Sequence, residues 1–432
     1  MESLDQEIVK YITEEDIKDI VKKCGYAHKD VTFVYYIENA SDKMLGFLAD
    51  YWRLQIHITN DQSESRKVLP FFVKAISRSN EAKASMATEF NLFQKEVLFY
   101  SVIKKKLELN DLKPWSPEMI TIINEDTMVF EDLAVSQYKS RNKFERFDMA
   151  HTLQALNTLA RFHATSIIYE ENNSKHLRRT YRLYDEFSHQ FLEERGYAKT
   201  NTWFIQCMNG ALEAVREFSK YKDNEKLLIK VGEDWKNIWF SALDICNYST
   251  KYRNVICHRD LWNNNIMFRY KKVEDGMEPD DCIFVDFQAV HFQPPAGDVI
   301  ILLYCNLDTK VREENSNLFL NYYYKELSTN LENHGIVIND VLSKEDFLNS
   351  AEELKKWGLI VRACLTPQIW IDDEFTTKIF SDTEQFNDIM AKNKGKFIKT
   401  MMLMNPNYKD KVIEVFDEII ERYCINNEIS SQ

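Results

Sequence analysis

The 432-residue chain is long enough for two or three domains, and its hydrophobic content of 44% is sufficient for a sizeable core. Its formal net charge of −13 gives a surface that repels nucleic acid and anionic lipid, so we expect neither as a partner. The eight cysteines include no C-x-x-C pair, which is typical of free thiols in a reducing compartment rather than of a disulfide or zinc framework. The N-terminal residues Met1–Asp5 are acidic and do not form a signal peptide, and the longest apolar run, around Val299–Cys305, is too short to span a membrane. We therefore expect a cytoplasmic protein.

The first predicted elements are an amphipathic helix from about Glu14 to Lys23 and two strands, Val31–Ile37 and Tyr51–Ile58. A polar turn that contains Gly46 joins the two strands. A strand, a glycine-bearing turn and a strand are the layout of a loop that folds over nucleotide phosphates. Because this turn has one glycine and not the G-x-G-x-x-G of protein kinases, the segment on its own predicts only an ordinary hairpin.

The third predicted strand, Val68–Ile76, contains a single charged residue, Lys74. A buried lysine is costly unless an anion pairs with it, and nucleotide phosphates or a glutamate on the following helix would be suitable partners. That helix is predicted from about Met86 to Leu109, with Glu96 in its middle and Glu89 seven residues earlier on the same face. We expect Glu96 to be the partner and keep Glu89 as the alternative. If neither pairs with it, Lys74 lies at the strand end and extends to solvent.

Two further short strands, Met119–Ile123 and Thr127–Phe130, precede the sequence Glu131-Asp132-Leu133. Five strands and a helix before this point match the small lobe of a kinase. A hinge formed by Glu131, Asp132 and Leu133 would offer its backbone groups to the edge of an adenine, so the positions of these residues matter more than their side chains.

Helical patterns dominate the rest of the chain, so we expect a large, mostly helical lobe over residues 134–432 after a small lobe over residues 1–133. The helices predicted before residue 255 are Met149–Tyr169, Arg182–Arg195, Trp203–Tyr221 and Glu225–Cys246. His163 lies on the apolar side of the first of these helices. A histidine in such a position is more often a hydrogen-bonded core residue than a ligand.

The stretch Val255–Phe268 contains His258-Arg259-Asp260-Leu261 and, five positions after the aspartate, Asn265, between two apolar runs. This is the H-R-D-L-x-x-x-N catalytic loop of kinases, held between two short strands. In that chemistry Asp260 lies beside the attacking hydroxyl and accepts its proton, and Asn265 holds a metal ion that bridges the phosphates. One short, rigid loop delivers both groups.

An apolar strand, Cys282–Val285, ends in Asp286-Phe287-Gln288, and Asp286 follows Asp260 by 26 positions. Asp286 therefore stands where the metal-binding aspartate of D-F-G would stand. The alternative is a helix-capping aspartate followed by an unrelated strand end. The order and spacing of Asp260, Asn265 and Asp286 favour a kinase.

The intervals on either side of the catalytic loop differ from those of a protein kinase. Glu131 and His258 are 127 positions apart, whereas roughly 40 residues would hold the two helices of a protein kinase. After Asp286, the sequence Pro295–Asp298 and an apolar helix follow closely, with no A-P-E and no long activation segment. Since the platform for a peptide is missing, we expect a small-molecule acceptor.

Segments across nearly the whole chain carry a resemblance to a known family; they are Gly46–Leu48, Asp50–Leu54, Phe72–Lys74, Phe93–Tyr100, Val129–Leu133, Leu159–Ala164, His258–Asn265, Val285–Gln288 and Pro295–Asp298. The forms Asp-Leu-Trp-x-x-Asn and Asp-Phe-Gln are characteristic of it. The chain resembles the ecdysteroid kinase-like family (the CHK-kinase-like domain), a branch of the aminoglycoside phosphotransferase and choline kinase superfamily. Arg259 stands where many relatives carry Gly, and we assign it a structural role.

The resemblance implies an α+β, protein-kinase-like fold of two lobes, with a small five-stranded antiparallel β lobe and a large, mostly helical lobe. It also implies ATP as the phosphoryl donor, Mg²⁺ as the metal, and a hydroxyl on a small and often lipophilic acceptor such as an ecdysteroid. No obligate protein partner is expected.

The same hypothesis assigns roles to individual residues. Asp260 is the catalytic base, and Asn265 and Asp286 hold magnesium. Lys74, positioned by Glu96, neutralises phosphate oxygens. The remaining residues expected at the nucleotide are Gly46, Glu131, Asp132 and Leu133, and Asp298 is expected to brace the catalytic loop.

Other functions stay open. A choline or aminoglycoside kinase is one alternative; choline needs aromatic rings and carboxylates around a cation, which Trp370–Phe375 would supply unless it is a solvated acidic turn. A catalytically inactive ligand-binding relative is opposed by the intact set of polar residues, and a protein kinase by the missing peptide platform. An ecdysteroid needs a larger apolar pocket. We expect that pocket on the large-lobe side of Asp260, between the helices of residues 132–254 and those around Trp357–Trp370.

Overall fold

The computed structural model describes residues 11–26, 31–41, 45–60, 65–191, 195–274 and 276–425. A five-stranded antiparallel sheet near the N-terminus is followed by a larger, mainly helical part, so the α+β class predicted from the sequence is confirmed. Residues Met1–Asp5, on which the expectation about a signal peptide rests, lie outside the described residues. Within the described ranges, no helix has the length and apolar character needed to cross a membrane.

Most of the strands precede residue 141, and most of the long helices follow it. The strands are β1 Val31–Asn39, β2 Ala49–Asn60, β3 Ser65–Ile76, β4 Met119–Ile123, β5 Thr127–Glu131, β6 Lys139–Ser140, β7 Val255–Cys257, β8 Ile266–Val273, β9 Gly276–Phe284 and β10 His291–Gln293. The α-helices are α1 Glu14–Lys23, α2 Glu81–Glu89, α3 Leu92–Leu98, α4 Lys104–Leu107, α5 Met149–Leu177, α6 Leu183–Phe191, α7 Thr202–Phe218, α8 Glu225–Ile245, α9 Ala296–Asn306, α10 Thr309–Glu332, α11 Ile338–Val341, α12 Lys344–Ile369, α13 Asp373–Ser381, α14 Thr383–Asn387, α15 Lys394–Met404 and α16 Pro406–Ile420. Helices α3, α14 and α16 are each extended by a π-helical turn, at Phe99–Ile103, Asp388–Lys392 and Glu421–Ile425.

The N-terminal sheet has the strand order β1-β2-β3-β5-β4. Side chains in a strand alternate between the two faces of the sheet, and the face that carries Leu54 and Val73 packs against Ile17 and Ile20 of α1. Lys74 follows Val73 and lies on the opposite face, which is turned toward the helical part. Helix α1 therefore covers one side of the sheet and leaves the other for the site.

The single helix predicted over Met86–Leu109 is wrong in its bounds and its continuity. Helix α2 begins at Glu81 and ends at Glu89. Asn91 then adopts a left-handed conformation with φ of 55°, and α3 begins directly after it. Asparagine tolerates this conformation better than most non-glycine residues. Glu89 and Glu96 consequently lie on different helices, and the argument that they share one helical face fails.

The helical part is built around two long contacts. Helix α5 packs along α10 and β9, and α9, whose residues are all buried, packs along α12. Helices α5 to α8 fill the interval before the catalytic loop, which confirms the extra helices predicted there. Leu133 packs with Tyr138 and Ile283, so it lies at the junction of the two parts, and the domain boundary placed after it stays a prediction.

Trp239→Ala should lower the free energy of unfolding by about 3–5 kcal/mol, because this indole on α8 is fully buried. Ile229→Ala is a matched control on the same helix: its side chain is 64% exposed, so the change should stay within about 0.5 kcal/mol. Chemical unfolding of both variants measures the difference, and equal losses would contradict the burial of this face of α8.

Candidate active site

The catalytic-loop sequence lies between two antiparallel strand pairs. Strand β7 pairs with β10, and β8 pairs with β9 with Ile266 opposite Phe284. The Val285 amide donates to the Asn265 carbonyl at 3.0 Å. Because Asp286 follows Val285 directly, this hydrogen bond brings Asn265 and Asp286 to the same end of the β8–β9 hairpin.

Asp260 is the acidic side chain of the catalytic loop. Asn265 Nδ2 donates to Asp260 Oδ2 at 2.9 Å and to the Asp260 carbonyl at 2.8 Å. Burial raises the pKa of Asp260 to about 7, and the charge of Asp286 adds to the rise, whereas hydrogen bonds from Asn265 and Trp262 oppose it. A carboxyl group with this pKa gains and loses a proton near neutral pH, as a general base must.

Lys74 lies between two carboxylates. Its Nζ is 2.5 Å from Glu96 Oε2 and 2.5 Å from Asp286 Oδ1, while Glu89, the alternative partner, is exposed. Burial alone would lower the pKa of Lys74, but the charges of Asp286 and Glu96 raise it above its usual range. The lysine is therefore a permanent cation at neutral pH.

Asp286 has a left-handed backbone, with φ of 67°, a strained conformation for a residue that is not glycine. The neighbouring Phe287 anchors Asp286, because the Phe287 ring is fully buried. The centre of this ring lies 4.5 Å from that of Phe99, on which it stacks, and 4.4 Å from that of the His258 ring. Gln288 Nε2 donates to Asp286 Oδ2 at 3.2 Å. No role for Gln288 is predicted from the sequence. Its position two residues after Asp286 in the Asp-Phe-Gln motif could have indicated this contact.

The side chain of Asp298 binds the backbone of the catalytic loop. Its carboxylate accepts hydrogen bonds from the amides of His258 at 2.6 Å and Arg259 at 2.8 Å. His163 Nε2 lies 3.2 Å from the same carboxylate, and His163 Nδ1 lies 2.7 Å from the Tyr323 hydroxyl. These buried contacts agree with the expected bracing role of Asp298 and with the expectation that His163 is a core residue. Cys257, His163 and Asp298 are close enough to ligate a metal, but the histidine and the carboxylate are already hydrogen-bonded.

Arg259 also has a left-handed backbone, with φ of 67°, in the region that glycine adopts at little cost. Its side chain is 1% exposed, and the guanidinium lies 5.1 Å from the centre of the Trp357 ring. The burial supports a structural role for the arginine.

Asp260, Asn265 and Asp286 open into a cleft of about 1090 Å³, counted with the solvent at its mouth. Gly46 belongs to the same lining, and a Cβ atom at this position would collide with the Tyr51 hydroxyl. The apolar and aromatic lining residues are Leu45, Phe47, Leu48, Tyr51, Met86, Phe90, Leu92, Tyr197, Trp203, Trp262, Ala289, Leu365, Ile369 and Met390. The other polar lining residues include Lys95, Arg259, Gln288 and Gln368. Helices α7 and α12 form part of the wall, and both lie in the ranges where the sequence predicts the acceptor pocket. Helix α2 and the turn that carries Met390 also contribute, and neither was expected there from the sequence.

The three residues expected at a hinge lie away from this lining. The Asp132 carboxylate accepts a hydrogen bond from the Ala134 amide at 2.9 Å and lies 3.7 Å from Arg53 Nε. The Glu131 carboxylate accepts from the Glu118 amide at 2.9 Å. The structure thus brings Gly46, Lys74, Glu96, Asp260, Asn265 and Asp286 together, while Glu131, Asp132 and Leu133 line the junction of the sheet and the helical part.

The sequence model of the ecdysteroid kinase-like family matches residues 43–336. The chain belongs to this family. Membership confirms the family resemblance and the kinase-like fold.

Two further similarities are more distant. A solved structure, described as the GDP and kanamycin complex of APH(2")-IIia, has 10% sequence identity and a TM-score of 0.34, with 90% of this chain and 94% of that chain covered. The "Uncharacterized oxidoreductase dhs-27" of Caenorhabditis elegans is 28% identical over 131 residues, which cover 29% of this chain. The chain spans only 16% of that relative's length.

Asp260→Asn should raise the free energy of unfolding above pH 7 by about 1–3 kcal/mol. The folded-state pKa of about 7 exceeds the ordinary value of 3.8, so ionisation of this carboxyl favours the unfolded chain. The resulting loss of stability is absent below about pH 4, grows as the pH rises and is complete above about pH 7. Chemical unfolding at acidic, neutral and alkaline pH measures it. A gain that does not depend on pH would contradict the raised pKa.

Proposed function

We propose that the protein transfers the γ-phosphoryl group of ATP to a hydroxyl of a small lipophilic alcohol, and that ecdysteroids are the favoured class of acceptor. One observation carries the proposal: Asp260, Asn265 and Asp286 share a single cleft with an apolar, aromatic wall. The residues for phosphoryl transfer and a space for a lipophilic molecule are thus adjacent.

Asp260 is the proposed general base. Its carboxylate faces the cleft, and Asn265 Nδ2 holds one of its oxygens at 2.9 Å. Together with a hydrogen bond from Trp262, this contact restricts the carboxylate to one orientation, in which it would accept the proton of the attacking hydroxyl. With a pKa of about 7, a substantial fraction of the carboxyl is deprotonated at neutral pH, and the protonated form is stable enough to make proton acceptance favourable.

Asn265 and Asp286 are the proposed magnesium ligands. Magnesium prefers oxygen ligands and is usually held by one or two carboxylates together with phosphate oxygens. Because Asn265 donates to Asp260 through Nδ2, its amide oxygen remains free to accept, and Asp286 contributes a carboxylate beside it. This donor set fits magnesium, which when bound would neutralise charge on the transferred phosphoryl group.

Lys74 is the proposed phosphate-binding cation. Glu96, which is 1% exposed, forms an ion pair with Lys74 from one side. This contact keeps the ammonium group beside Asp286 at the cleft. Its other contact, to Asp286, is one that phosphate oxygens can share. We further propose that Gly46 allows the loop before β2 to approach the phosphates. The adenine of ATP would then extend beyond the lining of the cleft, to backbone groups of Glu131, Asp132 and Leu133 at the junction of the sheet and the helical part.

The cleft favours an uncharged, lipophilic acceptor because apolar walls provide little for a cation or for a molecule dense in hydroxyls. The segment that would have served choline is used for other contacts. Trp370 packs on Arg146 at 4.8 Å, Asp372 caps α13, and Asp373 pairs with Lys143 at 2.7 Å. A choline or aminoglycoside kinase therefore has less support than a kinase for lipophilic alcohols. A catalytically inactive relative would bind ligand without turnover.

Asp260→Asn should lower turnover by about 10²–10⁴-fold, the usual contribution of a general base, and leave ATP affinity within a few-fold. Steady-state assays of phosphorylated product and titration of ATP measure the two effects. Asp185→Asn, at an exposed position on α6, is the control and should behave like the parent protein. Near-parental turnover in Asp260→Asn would show that another group is the base.

Asp286→Ala should abolish the magnesium-dependent part of ATP binding, because the variant lacks the only carboxylate proposed as a ligand. Calorimetry of ATP binding with and without magnesium tests this. Asp280→Ala removes a partly exposed carboxylate from the neighbouring strand β9, where it pairs with Arg269, and should keep the magnesium effect. If magnesium changed the ATP affinity of both variants equally, Asp286 would not be a magnesium ligand.

A hydroxylated steroid should be a better acceptor than choline or an aminoglycoside when the specificity constants are compared side by side. The apolar wall of the cleft is the physical reason. If choline or an aminoglycoside were better by about tenfold, equivalent to about 1.4 kcal/mol, the lipophilic acceptor would be refuted and the phosphotransferase would stand. Absence of ATP consumption with every acceptor would favour the inactive relative.

A further inference from the structure

A small chamber adjoins the cleft at Trp262. It is enclosed by the catalytic loop, the segment before α5, and the ends of α9 and α12, and its volume is about 330 Å³, counted with the solvent at its opening. It shares Trp262, Leu365 and Ile369 with the cleft, so the two spaces are direct neighbours. We call this space the Trp262 chamber.

Two asparagines, Asn263 and Asn306, line the Trp262 chamber. Each Nδ2 donates to two main-chain carbonyls, at distances between 2.7 and 3.3 Å. Because a carbonyl oxygen only accepts hydrogen bonds, these contacts fix which end of each amide is the nitrogen. Both residues are at least 95% buried, and neither Oδ1 has a donor within the part of the chain that the structure describes.

Arg146 lines the same chamber. Its Nη1 donates to the Cys305 carbonyl at 2.8 Å, and its guanidinium lies 4.8 Å from the centre of the Trp370 ring. Nε and Nη2 are buried and have no hydrogen-bond acceptor among the described residues; Asp308 Oδ1 is 3.7 Å from Nε. Burial and the charge of Arg362 lower the pKa of Arg146 to about 10, so the side chain remains protonated at neutral pH.

The occupant that suits these groups is neutral. A buried polar atom without a hydrogen-bond partner lowers the stability of the folded protein by about 1–3 kcal/mol. A ligand that supplies the missing hydrogen bond would restore part of this free energy. Two fixed amide oxygens oppose an anion. The other charged lining residues, Lys143 and Glu145, are paired with Asp373 and Arg141, so Arg146 is the charge that opposes a cation. A hydroxyl group both donates to an amide oxygen and accepts from a guanidinium, so it matches both kinds of group.

We propose that the Trp262 chamber is a second subsite of the acceptor cleft and binds one hydroxyl of an acceptor that carries at least two; this rests on the proposed function. While one hydroxyl lies beside Asp260, the other donates to Asn263 or Asn306 and accepts from Arg146. Acceptors without a second hydroxyl leave this position to water. The chamber therefore selects lipophilic alcohols with two separated hydroxyl groups over those with one.

The test compares two steroid alcohols that differ only in one hydroxyl remote from the phosphorylated position. They are assayed with the parent protein, with Arg146→Met and with the control Arg269→Met, whose guanidinium pairs with Asp280 on β9 and does not line the chamber. The second hydroxyl should raise kcat/KM by about tenfold in the parent and the control, and by about twofold or less in Arg146→Met. The same advantage in all three proteins, or no advantage in any, overturns the inference while the proposed function stands.

If neither steroid is phosphorylated by the parent protein, the proposed acceptor class fails and a crystal structure of the unliganded protein decides about the chamber. An ordered oxygen within hydrogen-bond distance of Asn263 Oδ1, Asn306 Oδ1 and Arg146, which is lost in Arg146→Met and kept in Arg269→Met, supports a site for a neutral donor and acceptor. A chamber closed by direct hydrogen bonds among these three side chains overturns it.

Discussion

One buried cation, Lys74, connects three parts of the chain. Lys74 comes from the N-terminal sheet, Glu96 from α3 and Asp286 from the turn after β9, and both carboxylates lie 2.5 Å from its Nζ. Each group alone would be costly to bury, and removal of the lysine would leave two carboxylates close together in a poorly solvated place. The position of the sheet against the helical part, and with it the position of Asp286 in the cleft, therefore depends on this interaction.

The catalytic loop is held by a second set of contacts that does not involve its reactive side chains. Asp298 accepts from two consecutive loop amides, and the ring of Phe287 is fixed among other aromatic rings. These contacts stabilise two left-handed residues, Arg259 and Asp286, that would be strained in isolation. Local strain held by a rigid surrounding structure is common at functional sites, and here it orients Asp260 beside Asp286.

The cleft combines two environments that suit different parts of an acceptor. Its aromatic wall offers dispersion and burial of apolar surface, which contribute affinity with little directional preference. The amide and guanidinium groups of the Trp262 chamber are directional, because Asn263 and Asn306 are fixed by main-chain carbonyls. Affinity for a lipophilic skeleton and discrimination between hydroxyl patterns would thus arise from separate residues.

The sequence by itself determined the family and the five strands of the N-terminal sheet. It also indicated that Asp260 and Asn265 lie close together, because a loop that places them within a few positions leaves little freedom for their geometry. Lys74 and Glu96 were also predictable, since a lone lysine in an apolar strand needs an anion. Tertiary structure alone decided the break at Asn91, the contribution of α2 to the cleft and the Trp262 chamber. Periodicity and propensity report contacts within a turn or between adjacent strands, whereas Arg146 meets the catalytic loop only through packing between segments that are distant in the chain.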